Sequence, residues 1–156
     1  MTIAIGRKAP KFKLPASNGE VVSLMELRGK HVVLFFYPKD MTPTCTEQAC
    51  DMRDAYSDFA EHNTIVLGIS GDSVKSHRNF IEKKDLPYLL LSDEGNKVCE
   101  LYGVWQLKKL YGREYMGIVR STFLIDAKGN LVREWRKVKV KGHAGEVLDA
   151  VKSLKG

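Results

Sequence analysis

The chain has 156 residues, 44% hydrophobic and 28% charged, with a formal net charge of +6. That length suits one ordinary domain, 1–156, with a core that needs no staples, and the composition excludes disordered and fibrous classes. No apolar run approaches the ~18 residues that span a bilayer, and MTIAIGRKAPKF at the start meets lysine and proline too early for a signal-peptide core, so no membrane partner and a cytoplasmic location are expected.

FKLPASNGEVVSL (12–24) reads as a hairpin turned at Asn18-Gly19, a pair that tolerates positive φ. SLMELRGK is a short helical turn ended by Gly29. HVVLFFYP (31–38) is nearly all apolar, the pattern of a strand covered on both faces. From Pro43 to His62 the residues Ala49, Met52, Ala55, Tyr56 and Phe59 recur at helical spacing. TIVLGIS (64–70) is a second buried strand, and Asp72-Ser73 offers a cap for a helix running to Lys84. YLLLSD (88–93) is a third strand, followed by a short helix around KVCELYG. STFLID (121–126) and LVREWRKV (131–138) flank the hairpin signal AKGN, and GEVLDAVKSLK closes the chain as an amphipathic helix. The order hairpin, β, α, β, α, β, α, β, β, α predicts an α/β fold around a mixed sheet.

The positive charge is scattered, apart from REWRKVKVKGH (133–143), where cations alternate with apolar residues. Such alternation describes a strand with one wet face, and no nucleic-acid motif accompanies it. No nucleic-acid partner is expected. The excess charge favours acidic partners or anionic substrates.

Two of the three cysteines, Cys45 and Cys50, stand five residues apart in PKDMTPTCTEQAC, just after the first buried strand. A disulfide staple, a metal site, a redox centre and simple packing are all open at this point. Cys45 falls in the first turn of a helix, where unpaired backbone N–H groups and the helix dipole favour a thiolate. Five residues of helix amount to about 7.5 Å of rise and ~140° of rotation. Both exceed what a disulfide tolerates, so the two thiols couple only if the first turns unwind. C-x4-C is not a standard zinc half-site, and no second Cys/His pair at ligand spacing follows. The spacing is also wrong for a C-x-x-C dithiol.

Pro38, Thr42 and Cys45 form the pattern P-x-x-x-T-x-x-C, which resembles the active-site signature of the peroxiredoxins. YPKDMTPTCTEQAC, with its second cysteine five residues on, is similar to the PrxQ (bacterioferritin comigratory protein) subfamily. GRKAPKFKLPASNGE, VLGISGDS, LLSDEGNKVCELYGVW and GIVRSTFLIDAKGN extend the likeness over nearly the whole chain, in the family's order. One position departs from it: Thr44 stands where the family usually has Gly, and its side chain would narrow peroxide access or alter how the loop opens.

The resemblance implies a thioredoxin-like fold with an N-terminal hairpin extension, and a thiol peroxidase for hydrogen peroxide and organic hydroperoxides with no metal or prosthetic group. It implies that Cys45 attacks the peroxide and becomes a sulfenic acid. Cys50 then resolves it as an intramolecular disulfide, and a thioredoxin-like reductant recycles the bridge. Thr42 and Arg120 would hold the peroxide and stabilise charge, Pro38 would wall the sulfur off from water, and the backbone N–H groups of Thr44 and Cys45 would complete the donors. Relatives of this kind point to a monomer. The rival expectation is a dithiol redox sensor with little turnover. Cys99, in KVCELYGV, reads as a packing residue and Trp105 as a packing anchor, while His31, His62, His77 and His143 form no constellation.

Overall fold

A run such as HVVLFF has almost no polar face to offer water, so it is stable only as a strand covered on both sides. A computed structural model, describing residues 3–154, bears this out: β3 (His31–Phe36) is buried at every position. It is the middle of a five-stranded sheet in the order β5-β4-β3-β8-β9. β4 (Thr64–Ser70) and β5 (Leu89–Ser92) run parallel to β3, β8 (Ser121–Ile125) pairs with β3 antiparallel, and β9 (Leu131–Arg136) pairs antiparallel with β8. The sheet is mixed, as the order of elements predicts.

Strand periodicity divides the core. Val32, Leu34 and Phe36 join one hydrophobic layer with Phe12, Tyr102 and Phe123. Val33, Phe35 and Tyr37 join the opposite layer, under α1 (Pro43–Asp54), α2 (Tyr56–Glu61), α3 (Val74–Lys84) and α5 (His143–Lys152). The N-terminal hairpin pairs β1 (Lys13–Pro15) with β2 (Val21–Ser23), and Gly19 takes φ +85 in the turn. Its end joins the sheet at β5, where Ser17 N donates to Leu90 O at 2.9 Å. A 3-10 turn (Leu24–Leu27) and α4 (Lys97–Leu101) stand where expected.

Three expectations need correction. The helix predicted from Pro43 to His62 is two helices, broken at Ala55, which sits at φ −91 and ψ −2 between α1 and α2. The last strand ends at Arg136 rather than Val138, because Lys137 turns to φ +52. Between α4 and β8 lies a hairpin absent from the expected order, β6 (Trp105–Leu110) and β7 (Arg113–Ile118), turned at Tyr111 and Gly112, both with positive φ. Leu107, Leu110, Tyr115 and Met116 are exposed, so this ribbon lacks the inside-outside alternation that reveals a half-buried strand. The predicted end of the last helix, Lys155, lies outside the described residues. Among the described residues, no helix is long and apolar enough to cross a membrane.

Candidate active site

β3 delivers the chain to the carboxyl end of the parallel strands, where side chains that sheet pairing leaves free can converge. There the loop after Phe36 turns into α1. Thr42 is the N-cap in extended geometry and Pro43 takes the first helical position, where the missing N–H costs no hydrogen bond. Thr46 N donates to Thr42 O at 2.8 Å, the first bond of the helix. The amides of Thr44 and Cys45 precede it and have no intrahelical acceptor.

Cys45 is 2% exposed and belongs to the layer containing Ala49 and Met52. The connection between β7 and β8 brings Arg120 over it: Arg120 Nη2 lies 3.3 Å from Cys45 Sγ. Arg120 Nη1 donates to Gln48 Oε1 at 2.6 Å. Gln48 is one turn beyond Cys45 on α1 and 1% exposed, and among the described residues its Nε2 has no hydrogen-bond partner. One side chain thus touches both the sulfur and the residue that orients it. Gln48 escaped the sequence reading; its place on the same helix face as Cys45, three residues on, was the available signal.

Lys108 was missed with its hairpin. It is half-buried on β6, opposite Tyr115, and its stem lies close enough to Gly117 that an added Cβ there would stand 3.2 Å from Lys108 Cδ. Burial holds its ammonium below the usual lysine range, the nearby charge of Arg120 adds to that, and Cys45 opposes it. The hairpin therefore places a second cation within electrostatic range of the thiol.

The other predicted residues are arranged less tightly. The Thr42 hydroxyl does not cap the helix; it donates to Lys39 O at 2.9 Å. Thr44 is exposed at the helix start, and Pro38 is exposed in the preceding loop. Cys50 is half-buried further along α1, and both it and Cys45 are free thiols. Because α1 is unbroken from Pro43 to Asp54, the two are separated by the helical offset derived from their spacing. Cys99 is fully buried on α4, and its thiol is pushed well up by burial and by the Asp93 carboxylate. That is the environment of an inert packing thiol.

Residues 5–134 match the model of the AhpC/TSA family. The chain is 54% identical to peroxiredoxin Bcp of Bacillus subtilis, over 99% of this chain and 98% of that one. This is a Bcp/PrxQ-type peroxiredoxin. Among solved structures, PrxQ of Xylella fastidiosa superposes with a TM-score of 0.92 at 36% identity, covering 98% of both chains. The bacterioferritin comigratory protein of Xanthomonas campestris, studied for its alkyl peroxide reduction activity, gives 0.87 at 41% identity, covering 91% of this chain and 90% of that one. The fold of this peroxiredoxin is accordingly thioredoxin-like, and it is a peroxidase, an oxidoreductase with peroxide as substrate.

Proposed function

We propose that this peroxiredoxin reduces hydrogen peroxide and organic hydroperoxides through a cycle confined to α1, with Cys45 as the attacking sulfur and Cys50 as the resolving one. The observation that carries the assignment is the 3.3 Å contact between Arg120 Nη2 and Cys45 Sγ at the first turn of a helix. A fixed guanidinium there stabilises negative charge on the sulfur before attack and on the peroxide oxygens as the O–O bond breaks. The free amides of Thr44 and Cys45 add donors on the same side, and Lys108 adds positive potential. Thr42 and Pro38 shape the approach from the loop.

In the first step the Cys45 thiolate bonds to the terminal peroxide oxygen and the O–O bond breaks. The leaving alkoxide or hydroxide takes a proton and departs as alcohol or water, leaving Cys45 as a sulfenic acid. In the second step α1 opens, Cys50 bonds to the Cys45 sulfur, and the sulfenic oxygen leaves as water. An external dithiol of the thioredoxin kind then reduces the bridge by exchange, its own two thiols becoming a disulfide. Both sulfurs come from one helix, so a single chain, 1–156, completes the cycle as a monomer. A reducing cytoplasm is the compartment in which such a bridge is recycled to thiols. The alkyl peroxide activity of the Xanthomonas relative supports organic hydroperoxides as substrates.

The test combines mass spectrometry of peroxide-treated protein with NADPH consumption in the presence of thioredoxin and its reductase. Wild type is expected to show a Cys45–Cys50 bridge and sustained turnover. Cys45→Ser is expected to abolish peroxide consumption, whereas Cys50→Ser accumulates the sulfenic acid. Oxidation that stops after one equivalent would favour a sensor instead. Undiminished thioredoxin-linked turnover in Cys50→Ser would overturn the resolving role.

A further inference from the structure

Asp40, in the loop between β3 and α1, is 6% exposed, and its carboxylate meets three groups. Tyr37 Oη donates to Asp40 Oδ1 at 2.5 Å, and Ser76 Oγ donates to Asp40 Oδ2 at 2.8 Å. The third is His77, fully buried on α3, whose Nδ1 lies 2.7 Å from the same Oδ2. The other ring nitrogen, His77 Nε2, lies 2.9 Å from the carbonyl oxygen of Leu91 on β5. Of the four histidines only His77 enters this cluster, a placement that the sequence reading did not anticipate.

Hydrogen-bond bookkeeping indicates an arrangement of the protons. A carbonyl oxygen only accepts, so Nε2 carries a proton. Both Asp40 oxygens already accept from hydroxyls, which favours the ionised carboxylate. Burial and Asp40 push the Tyr37 phenol well up, so it remains a donor. A bare Nδ1 would set a lone pair against a carboxylate at 2.7 Å, so Nδ1 carries a proton too. A doubly protonated ring facing an anion satisfies every one of these contacts, and we read Asp40 and His77 as an ion pair sealed from water. The groups around it are Tyr37 from the end of β3, Asp72 and Ser70 from the end of β4, and Ser76 from α3. Asp72 Oδ2 accepts from Asp40 N at 2.8 Å and from Ser70 Oγ at 2.6 Å, so the loop backbone is tied down as well.

Two residues beyond Asp40 stands Thr42, the N-cap of α1, and three beyond that Cys45. We propose that Asp40 and His77 are positioning residues that act as a latch: their buried ion pair pins the Cys45 loop to α3 and β5 and so sets how readily α1 opens. The first half of this proposal is independent of the chemistry. The second, that opening limits bridge formation, rests on the Cys45–Cys50 cycle proposed above. With the latch shut, Cys45 stays beneath Arg120 and meets peroxide; with it broken, the first turn frays and Cys50 gains access. Removing one partner of a buried pair leaves the other uncompensated, so the effect is large for a single substitution.

The experiment uses the full chain and Asp40→Asn, which preserves shape and an acceptor for Tyr37 but removes the charge. Nitrogen-15 NMR of labelled histidine in the reduced wild type at pH 7.5 is expected to show both nitrogens of His77 protonated. In Asp40→Asn the ring is expected to be a neutral tautomer. Hydrogen exchange without peroxide is expected to speed up about tenfold or more in the first two turns of α1, with β3 and β4 amides unchanged. In rapid mixing, the variant is expected to oxidise Cys45 more slowly and form the bridge faster. A neutral His77 in wild type, or exchange that rises equally in α1 and in the sheet, overturns the latch. If the exchange result holds but no bridge forms in either protein, the latch stands and the proposed cycle fails.

Discussion

Arg120 and Cys45 are separated by 75 positions in sequence and 3.3 Å in space. The contact exists because β8 pairs with β3, setting Ser121 opposite Phe36 and so holding Arg120 near the carboxyl end of the strand that leads into α1. Gln48 fixes the guanidinium from the side at 2.6 Å. Removing Arg120 takes away charge that matters most as the O–O bond breaks. Arg120→Ala is expected to slow Cys45 oxidation roughly 100-fold, equivalent to about 3 kcal/mol. Gln48→Ala, which frees the guanidinium without removing it, is expected to cost about tenfold. Rapid-mixing fluorescence of the peroxide step, with bridge reduction measured separately, checks both; a loss confined to bridge reduction would contradict the role.

Lys108 adds a pH dependence. Burial and the neighbouring Arg120 disfavour its charged form, so the ammonium loses its proton below the usual ~10.4 of a free lysine. As that proton leaves, positive potential at the sulfur falls. The rate of Cys45 oxidation is expected to decline on the alkaline side, before arginine titrates. Lys108→Met is expected to be a few-fold slower at neutral pH and to lack that decline. A rate–pH profile for both proteins decides it, and coincident alkaline limbs would remove Lys108 from the site.

What the sequence made legible follows from which forces are local. β3, β4 and the helices announce themselves through buried runs and 3.6-residue periodicity, and the Cys45–Cys50 spacing states its own geometry. The β6–β7 ribbon stayed hidden because Tyr111 is 96% exposed and much of its apolar content faces solvent. With the ribbon went Lys108. The break at Ala55 was equally unreadable, since alanine is the strongest helix former and only packing bends the chain there. Asp40 and His77 are 37 residues apart and meet only because β4 and α3 fold back beside β3. No local pattern carries that.

Cys99 provides a control for the two thiols of α1. Its side chain is enclosed, and burial together with Asp93 keeps it protonated, so it has no access to peroxide and little nucleophilic character. Cys99→Ala is expected to leave peroxide turnover within about twofold while lowering stability by about 1 kcal/mol, from the small cavity left in the layer around Tyr102. Urea unfolding and the coupled peroxidase assay measure the two effects. A large loss of turnover at unchanged stability would show a redox role for this thiol.

His143 connects stability to pH. It is nearly enclosed at the start of α5, with Nε2 2.8 Å from Thr122 Oγ1 and its ring edge-on to Trp135. Burial pushes its imidazole down from the usual value, Arg120's charge adds to this, and Glu146 opposes it. The unfolded chain takes up a proton at this residue near pH 6.5, while the folded protein does so only at lower pH. Between those two values the unfolded state binds more protons, so stability falls as pH drops and levels off once both states are protonated. Above pH 6.5 the histidine contributes no slope. His143→Gln keeps a polar group near Thr122 but cannot titrate, so the decline in melting temperature on acidification is expected to be shallower than in wild type. Carboxylates titrate in both proteins, and the difference between the two curves isolates His143. Parallel curves from pH 7 to 5 would show that this ring takes up its proton alike in the folded and unfolded chain.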